Sequence, residues 1–357
     1  MKYRILFLGL LPAALFMLVI FFGKNNQIEG KIFQSEIAIT KEIAENEKSS
    51  QSVKILFAGD LMLDRYNRTI IQKSGVEHFT KNFNDLFLAQ DLNVVNLEGP
   101  VTSNQSVSME TEMQEKNHFK FTFDRDSTKK FLSYNKISLV NIGNNHIFNF
   151  DAAGAGETID FLHENKLGYF GHPLEESNIY IEKKINGLKI ALVNYNKFSR
   201  IKAEKIREKI GEARGRNDFV LVYAHWGDEY SLTPSQEQKN IAHMFVDNGA
   251  DLIIGSHPHV VQPIEIYRNK AIFYSLGNFV FDQYFSEDVK NELLVAASFS
   301  ADKIDFSLMP LYKREKGDLI LDDGKNRKQL LERIMRDSAV GESMKKQIGE
   351  GNFSLYK

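Results

Sequence analysis

The strongest constraint on the fold is an alternation, from Val53 onward, of short apolar runs with amphipathic helical stretches. The apolar runs are rich in the β-branched and aromatic residues that favour strands, and they cover 53–58, 93–97, 137–142, 189–193, 218–223 and 251–255. The stretches that predict helices lie near 127–135, 153–166, 202–214 and 234–248. Further predicted strands, without helices between them, cover 261–267, 271–276, 293–300 and 304–309. This order predicts an α/β protein built as a layered sandwich of sheets and helices.

The N-terminus carries a second constraining pattern, an apolar run that follows two basic residues. Ile5 to Gly23 contains no charged side chain, and Lys2 and Arg4 precede it. A helix of this length approaches the roughly 30 Å of a bilayer's hydrocarbon core, and the basic residues favour a cytoplasmic N-terminus. A cleaved signal peptide is the alternative, although no small-x-small site follows the run. The pattern predicts an uncleaved membrane anchor over 1–25, with the rest of the chain outside the cell: a single-pass protein of the cell membrane.

The rest of the chain divides by composition. Residues 26–52 are polar, rich in Glu, Lys and Ser, and predict a stalk with little to bury. Residues 53–325 hold the alternating pattern and predict the main domain, which the 357-residue length allows to be one large unit. Residues 326–357 predict a charged C-terminal helix and tail, with the helix over 326–350 and a narrow apolar stripe of Leu330, Leu331 and Ile334.

Polar side chains stand where the predicted strands end. The residues at these ends are Asp60, Glu98, Asn144, Asn145, His146, His225, His257 and His259. Because the carboxyl ends of parallel strands open on one crevice, we expect these side chains to converge. The chain has no Cys, so any metal must be held by carboxylate, imidazole and amide groups. These ligand types suit Mn, Zn or Fe.

Each of these residues also has a simpler interpretation. Asp60 could cap a turn, Glu98 could be an exposed turn acid, and His225 could be a packed core imidazole. His257 and His259 form the most specific pattern, because the proline between them fixes the backbone and aims both rings from one turn. The coincidence at several strand ends favours the metal site. The other histidines, which are interpreted as surface or cap residues, are His78, His118, His163, His172 and His243.

Motifs in a fixed order over about 53–310 carry a resemblance to a known family. They are Gly59-Asp60 with Arg65, Asn96-Leu-Glu98, Asn144-Asn145-His146 with Asp151 and Gly154, His225-Trp-Gly-x-Glu229-Tyr230, Gly255-x-His257-Pro-His259 and Ser275-Leu-Gly-Asn278. In this order they resemble the CapA family of poly-γ-glutamate capsule biosynthesis proteins, a branch of the calcineurin-like metallophosphoesterase superfamily. The resemblance implies a four-layer α-β-β-α sandwich of metallophosphoesterase type, here with an N-terminal transmembrane helix.

The resemblance also implies roles for individual residues. The implied ligands of one or two divalent ions are Asp60, Glu98, Asn145, His225, His257 and His259. His146 corresponds to the catalytic imidazole, and the implied substrate-binding residues are Arg65, Asn144 and Asn278. Arg65 could hold an anionic group, or it could form a surface salt bridge. One departure stands out: the superfamily's Asp-x-His has Met62 in the histidine position, and a thioether is a poor ligand for a hard metal.

Two functions are compatible with these patterns. The first is a metal-dependent hydrolase or transferase of poly-γ-glutamate capsule biosynthesis or export that acts outside the membrane. The second is a non-catalytic subunit that binds the polymer or assembles the export complex. The expected partners are the membrane, an anionic polymer such as poly-γ-glutamate, and membrane synthase or export subunits. A net charge of -2 gives no reason to expect nucleic acid.

Overall fold

The computed structural model describes residues 52–172, 174–322 and 324–357. The predicted anchor and the predicted stalk up to residue 51 therefore lie outside the described residues. Within the described ranges, no helix is both long enough and apolar enough to cross a bilayer.

The described strands form two sheets. The strands are β1 (Val53–Leu61), β2 (Leu92–Leu97), β3 (Leu139–Asn141), β4 (Gly168–Phe170), β5 (Tyr180–Ile185), β6 (Leu188–Asn196), β7 (Phe219–His225), β8 (Leu252–Ser256), β9 (Ile264–Tyr267), β10 (Lys270–Phe273), β11 (Asn278–Val280), β12 (Asn291–Phe299), β13 (Lys303–Lys313), β14 (Leu319–Leu321) and β15 (Asn352–Tyr356). The first sheet has the order β14-β13-β12-β1-β2-β3-β4, with β11 paired to β1 and β15 paired to β13. The second sheet has the order β5-β6-β7-β8-β10-β9.

Helices connect the parallel strands of both sheets. The helices are α1 (Arg65–Ser74), α2 (Asn84–Leu88), α3 (Arg125–Tyr134), α4 (Asp151–Glu164), α5 (Ala203–Arg214), α6 (Gln236–Asp247), α7 (Glu287–Lys290), α8 (Lys325–Asp337) and α9 (Glu342–Glu350). Strands β1 to β4 run parallel to one another, and so do β6, β7 and β8. Parallel neighbours need long crossovers, and the alternation of strands and helices in the sequence supplies them.

The two sheets stack face to face, and helices cover both outer faces. In β1, Val53, Ile55 and Phe57 join a core that includes residues from both sheets, whereas Leu56 and Ala58 join a second core with α1, α3 and α4. A third core lies between the second sheet and the helices α5 and α6. Side chains on successive residues of a strand point to opposite faces, so a strand covered on both faces is apolar throughout. The predicted α/β class is confirmed, and the layers follow the order α-β-β-α.

The C-terminal stretch differs from its prediction. The single helix expected over 326–350 is two helices, α8 and α9, separated at Ser338–Gly341, where Ser338 has an extended backbone. The predicted apolar stripe faces the core between the sheets, which Phe353 and Leu355 of β15 also join. Strand β15 pairs with β13, so this segment is part of the first sheet.

Two glycines allow strands to approach closely beside the site. A Cβ atom on Gly59 would lie 1.9 Å from the carbonyl oxygen of Gly277, and one on Gly255 would lie 1.9 Å from that of Tyr274. Both distances are far below van der Waals contact, so any side chain would force the strands apart. Because Gly59 has no side chain, β11 can pair beside β1 with Asp60 opposite Asn278.

Candidate metal centre

The polar strand ends of both sheets meet at one place between the sheets. Asp60 lies in β1, Glu98 follows β2, His225 ends β7, and the turn that carries His257 and His259 follows β8. All five side chains are buried. The structure therefore brings these predicted ligands together, as the common direction of the parallel strands led us to expect.

These residues form two overlapping groups of ligand atoms. One group contains Asp60, Glu98 and His259, and the other contains Glu98, His225 and His257. Within each group the ligand atoms lie within 4.8 Å of one another. Glu98 belongs to both groups, which is the position that a carboxylate bridging two adjacent cations requires.

The two buried carboxylates are held by Asn96, which lies in β2, two residues before Glu98. Its Nδ2 donates hydrogen bonds to Asp60 Oδ1 at 2.8 Å and to Glu98 Oε2 at 3.2 Å. The backbone N–H of His257 donates to Asp60 Oδ2 at 3.0 Å. Burial alone would raise the pKa of Asp60, but its interaction with His259, chiefly a hydrogen bond, brings it below its usual range. Burial, reinforced by the charge of Asp60, raises the pKa of Glu98 well above its usual range.

His259 is oriented by Asn278. Asn278 Nδ2 donates hydrogen bonds to Gln283 Oε1 at 3.1 Å and to the carbonyl oxygen of Val289 at 3.3 Å. These contacts fix the orientation of the amide, so that its Oδ1 faces His259 as an acceptor. The Nδ1–H of His259 therefore donates to Asn278 Oδ1 at 3.0 Å. This leaves Nε2, 3.7 Å from Glu98 Oε1, with a free lone pair. A metal-binding histidine typically donates its other ring N–H to an oxygen in this way.

The other two imidazoles, those of His225 and His257, belong to the second group, together with Glu98. His225 Nε2 lies 2.9 Å from Asn145 Oδ1, so the predicted amide ligand is in contact with the cluster. Burial lowers the pKa of His225 well below its usual range and, with the charge of His259, lowers the pKa of His257 to about 3. Both rings are therefore neutral near pH 7, which is the state that binds metals. His257 and His259 have φ values of 94° and 58°, a strained backbone of the kind that clusters at functional sites.

The donor set fits a divalent cation. Two buried carboxylates lie side by side, and Glu98 Oε1 and His257 Nδ1 have no hydrogen-bond partner among the described residues. Buried polar atoms without partners are rare and costly in folded proteins. A cation that accepts these lone pairs would satisfy both atoms and would neutralise the carboxylates. Manganese, zinc or iron has the preference for mixed oxygen and nitrogen ligands that this set requires.

Met62 lies outside this donor set. Its side chain is buried in the core between the first sheet and its helices. Its Sδ accepts a hydrogen bond from the backbone N–H of Asp64 at 3.1 Å. The side chain therefore has a packing role, and a core residue stands at the position where the resemblance led us to expect a histidine ligand.

His146 lies at the edge of the cluster, against the ring of Phe121 at a centroid distance of 4.4 Å. Asn149 Oδ1 accepts the backbone N–H of Phe121 and therefore also accepts His146 Nδ1–H, at 3.0 Å. Nε2 then carries the lone pair, 3.9 Å from Glu98 Oε1. Burial lowers the pKa of His146 to about 4, with added repulsion from His259 and Arg65. The imidazole is neutral near pH 7 and can accept a proton at Nε2.

Arg65 forms a buried ion pair, not the surface salt bridge that was the alternative to anion binding. Its guanidinium pairs with Asp282, donates to His118 Nε2 at 2.8 Å and lies 5.0 Å from the centre of the Phe121 ring. His118 is therefore a partner of Arg65 and not the unpartnered surface or cap residue that the sequence suggested. His243 also has a partner, because its Nε2 lies 2.8 Å from Glu265 Oε1.

The other two residues predicted to bind substrate lie in the interior. Asn144 donates to Leu97 O at 2.8 Å and to Asn96 Oδ1 at 3.1 Å, and its own Oδ1 accepts the N–H of His146. Asn278 orients His259 as described above. These contacts assign both side chains to holding the site, and their contact with a substrate stays a prediction.

Two residues of the site carried no assigned role at the sequence level. Asn96 was a detectable signal, since it is a buried polar residue near the end of β2, two residues before Glu98. Glu229 is exposed, and its carboxylate lies within 4.8 Å of ligand atoms of His257 and His259. Its motif was part of the resemblance, but its proximity to these rings depends on tertiary contacts.

A cavity of about 400 Å³ adjoins the cluster on the side of Asn145. Phe198, whose ring centre is 4.4 Å from that of His257, lines it together with Asp151 and Arg200. A ligand in this cavity would contact both an apolar ring and charged groups beside the candidate ligands.

Two proteins involved in capsule or PGA biosynthesis are similar to this chain in sequence. "PGA biosynthesis protein CapA" of Bacillus subtilis (strain 168) is 31% identical over 244 residues, which are 64% of this chain and 63% of that protein. "Capsule biosynthesis protein CapA" of Bacillus anthracis is 29% identical over 260 residues, which are 67% of this chain and 61% of that protein. The chain thus spans about three-fifths of the length of these relatives.

Among solved structures, the NAD nucleotidase of Haemophilus influenzae aligns with 83% of this chain and 59% of its own, with 12% identity and a TM-score of 0.46. A score this low adds nothing to the fold, which rests on the sheet order described above. The family described as "Bacterial capsule synthesis protein PGA_cap" matches residues 54–283. This range is more than half of the chain and contains all the candidate ligands. The predicted resemblance to CapA is therefore confirmed, and the chain belongs to the PGA_cap family of bacterial capsule synthesis proteins.

Proposed function

We propose that this chain is a metal-dependent hydrolase or transferase of metallophosphoesterase type that serves the synthesis or export of poly-γ-glutamate capsule polymer. The observation that carries the proposal is the pair of buried ligand groups that share Glu98. The name of the Bacillus subtilis relative supports the choice of polymer, and the name of the Bacillus anthracis relative supports a role in capsule biosynthesis. The strained backbone at His257 and His259 supports a site maintained for function.

The site would hold one or two divalent ions through Asp60, Glu98, Asn145 and the three histidines of the cluster. When bound, these ions supply Lewis acids that draw electron density from an oxygen of a phosphoryl or acyl group. The chain's own residues set the geometry. Asn96 positions the two carboxylates, and Asn278 turns Nε2 of His259 toward the site.

His146 would move the proton. Its neutral Nε2 would accept a proton from the attacking water, and the imidazolium so formed would return that proton to the leaving group. Asn149 holds the tautomer that this requires, because it accepts Nδ1–H. The cavity lined by Asn144 and Asn145, the two residues before His146, leaves space for a substrate.

We also propose that the domain works outside the cell, anchored through residues 1–25, beside membrane synthase or export subunits. The support is the uncharged run from Ile5 to Gly23 after Lys2 and Arg4. Deletion of 1–25 should move the chain from the carbonate-washed membrane fraction to the soluble fraction. An unchanged distribution in fractionation would contradict the anchor.

A non-catalytic role in polymer binding or assembly is the second candidate. Two observations favour it: the thioether of Met62 is packed into the core, and the guanidinium of Arg65 is already paired with Asp282. Both facts reduce the number of groups available to a metal or an anionic substrate.

Metal content of the full-length chain tests the proposal. We expect roughly one or two equivalents of Mn, Zn or Fe by elemental analysis, lost in His257→Ala/His259→Ala. His243→Ala, which alters a paired histidine outside the cluster, should keep its metal. Absence of metal from the wild type after reconstitution would rule out the hydrolase. Unchanged polymer production by the metal-free double variant would favour the non-catalytic role.

A further inference from the structure

Glu229 lies in the turn after β7, at the solvent side of the cluster. It forms a third group of ligand atoms with His257 and His259, again within 4.8 Å of one another. The other two groups are fully buried, whereas Glu229 is exposed. Each histidine of this third group also belongs to one of the buried groups, so Glu229 and Glu98 are both neighbours of the same two rings.

The turn that carries Glu229 is tied to the turn that carries the histidines. The backbone N–H of Tyr230 donates to the carbonyl oxygen of Pro258 at 2.8 Å. Tyr230 has a φ of 62°, and its hydroxyl accepts a hydrogen bond from Gln283 at 3.1 Å. These contacts fix the backbone next to Glu229 relative to both rings, so the carboxylate stays near them.

A second observation points to a ligand at this place. His257 is 4% exposed, and its Nδ1 has no hydrogen-bond partner in the part of the chain that the structure describes. A buried nitrogen of this kind needs a proton donor or a cation.

We propose that Glu229 is a metal ligand that completes the coordination from the solvent side, together with His257 and His259. This inference rests on the proposed function. Glu229 would supply a hard oxygen ligand to a cluster in which Met62 stands where the resemblance implies a histidine ligand. Because the Glu229 side chain is exposed, water can solvate it when no metal is bound.

The test measures Mn²⁺ binding to the full-length chain in detergent by isothermal titration calorimetry. Glu229→Gln keeps the size of the side chain and removes its charge. We expect this variant to bind one equivalent of Mn²⁺ fewer than the wild type, or to bind Mn²⁺ with a Kd at least about tenfold higher. Asp228→Asn is the matched control, since Asp228 is an exposed carboxylate in the same turn and in none of the ligand groups. It should bind as the wild type does.

The outcomes separate this inference from the function on which it rests. If wild type and Glu229→Gln bind Mn²⁺ with the same stoichiometry and Kd, the inference is wrong and the proposed function stands. If Asp228→Asn weakens binding as much as Glu229→Gln, the effect is one of general charge and the inference is also wrong. If the wild type binds no metal, both proposals fail.

Discussion

At the scale of single residues, asparagines set the chemistry of the site. Asn278 and Asn149 each accept the Nδ1–H of an imidazole, and each leaves the Nε2 lone pair of that ring directed at Glu98. Asn96 donates to both buried carboxylates. An amide can serve either purpose without adding charge, which matters where the neighbouring groups are buried carboxylates.

Replacement of Asn278 tests the role assigned to it, which is to orient His259. Asn278→Ala removes the acceptor that orients His259, so we expect metal affinity to fall by about 10- to 100-fold in calorimetry. Asn149→Ala is the control: it frees His146, which is not a proposed ligand, and should leave the affinity within about twofold. Denaturation curves would show that both variants are folded. Equal losses of affinity in the two variants would contradict the assigned roles.

At the scale of elements, a buried ion pair joins two neighbouring strands of the first sheet. Lys313 Nζ on β13 lies 2.9 Å from Glu292 Oε1 on β12, with side chains 2% and 1% exposed. Burial raises the pKa of Glu292 to about 7, although the charge of Lys313 opposes this. Glu292 therefore holds its proton in the folded state at pH values where the unfolded chain has lost it.

The sign of the pH dependence follows from this raised pKa. The contribution of Glu292 to stability is fully present below about pH 4, where the carboxyl is neutral in both states. It is lost as the pH rises through about 7, since the folded state must then ionise a buried group. The loss amounts to at most about 3 kcal/mol.

Lys313→Met should therefore destabilise the fold more at pH 8 than at pH 5. At pH 8 it leaves an unpaired buried carboxylate, with an expected cost of about 3–5 kcal/mol, whereas at pH 5 Glu292 can remain neutral. Urea unfolding at the two pH values measures the difference. Adding Glu292→Gln should abolish the difference between the two pH values. A cost that is equal at pH 5 and pH 8 for the single variant would refute the explanation.

At the scale of the whole described domain, the C-terminal segment completes the core. Leu330, Leu331, Ile334, Ile348 and Phe353 are each no more than 3% exposed and pack in the core between the sheets. Strand β15 adds hydrogen bonds to β13 at the same time. Residues that the sequence places in a charged helix and tail thus cover an apolar core that would otherwise meet water.

Deletion of 325–357 should prevent folding. The deletion removes the burial of five large apolar side chains, which contributes roughly 10 kcal/mol and is comparable to the whole stability of a typical domain. Circular dichroism and thermal unfolding would measure the loss. As a control, Lys328→Ala/Lys346→Ala changes two side chains that are 77% and 80% exposed and should unfold like the wild type. A truncated chain that melts cooperatively near the wild-type Tm would contradict this prediction.

Some elements were predictable because their patterns are local. The apolar run 53–58, predicted as a strand, lies in β1, and the amphipathic stretch 202–214, predicted as a helix, forms α5 over Ala203–Arg214. Strand β4 is three residues long, and β5 reads Tyr-Ile-Glu-Lys-Lys-Ile with three charged residues. Such segments carry too little local pattern to predict a strand. They form strands because a neighbouring strand pairs with them.

The α/β class and the ligand types at the strand ends could be inferred from local patterns, because strand and helix periodicity and the residue after each strand are properties of short segments. The packing of the two sheets was needed for the rest. It places Glu98 in both buried groups, turns Asn278 onto His259, and brings Glu229 beside two histidines almost thirty residues away in sequence. Met62 shows the same dependence, since its thioether is directed into the core and away from the cluster. Distances of a few ångströms between atoms far apart in sequence depend on how the layers pack.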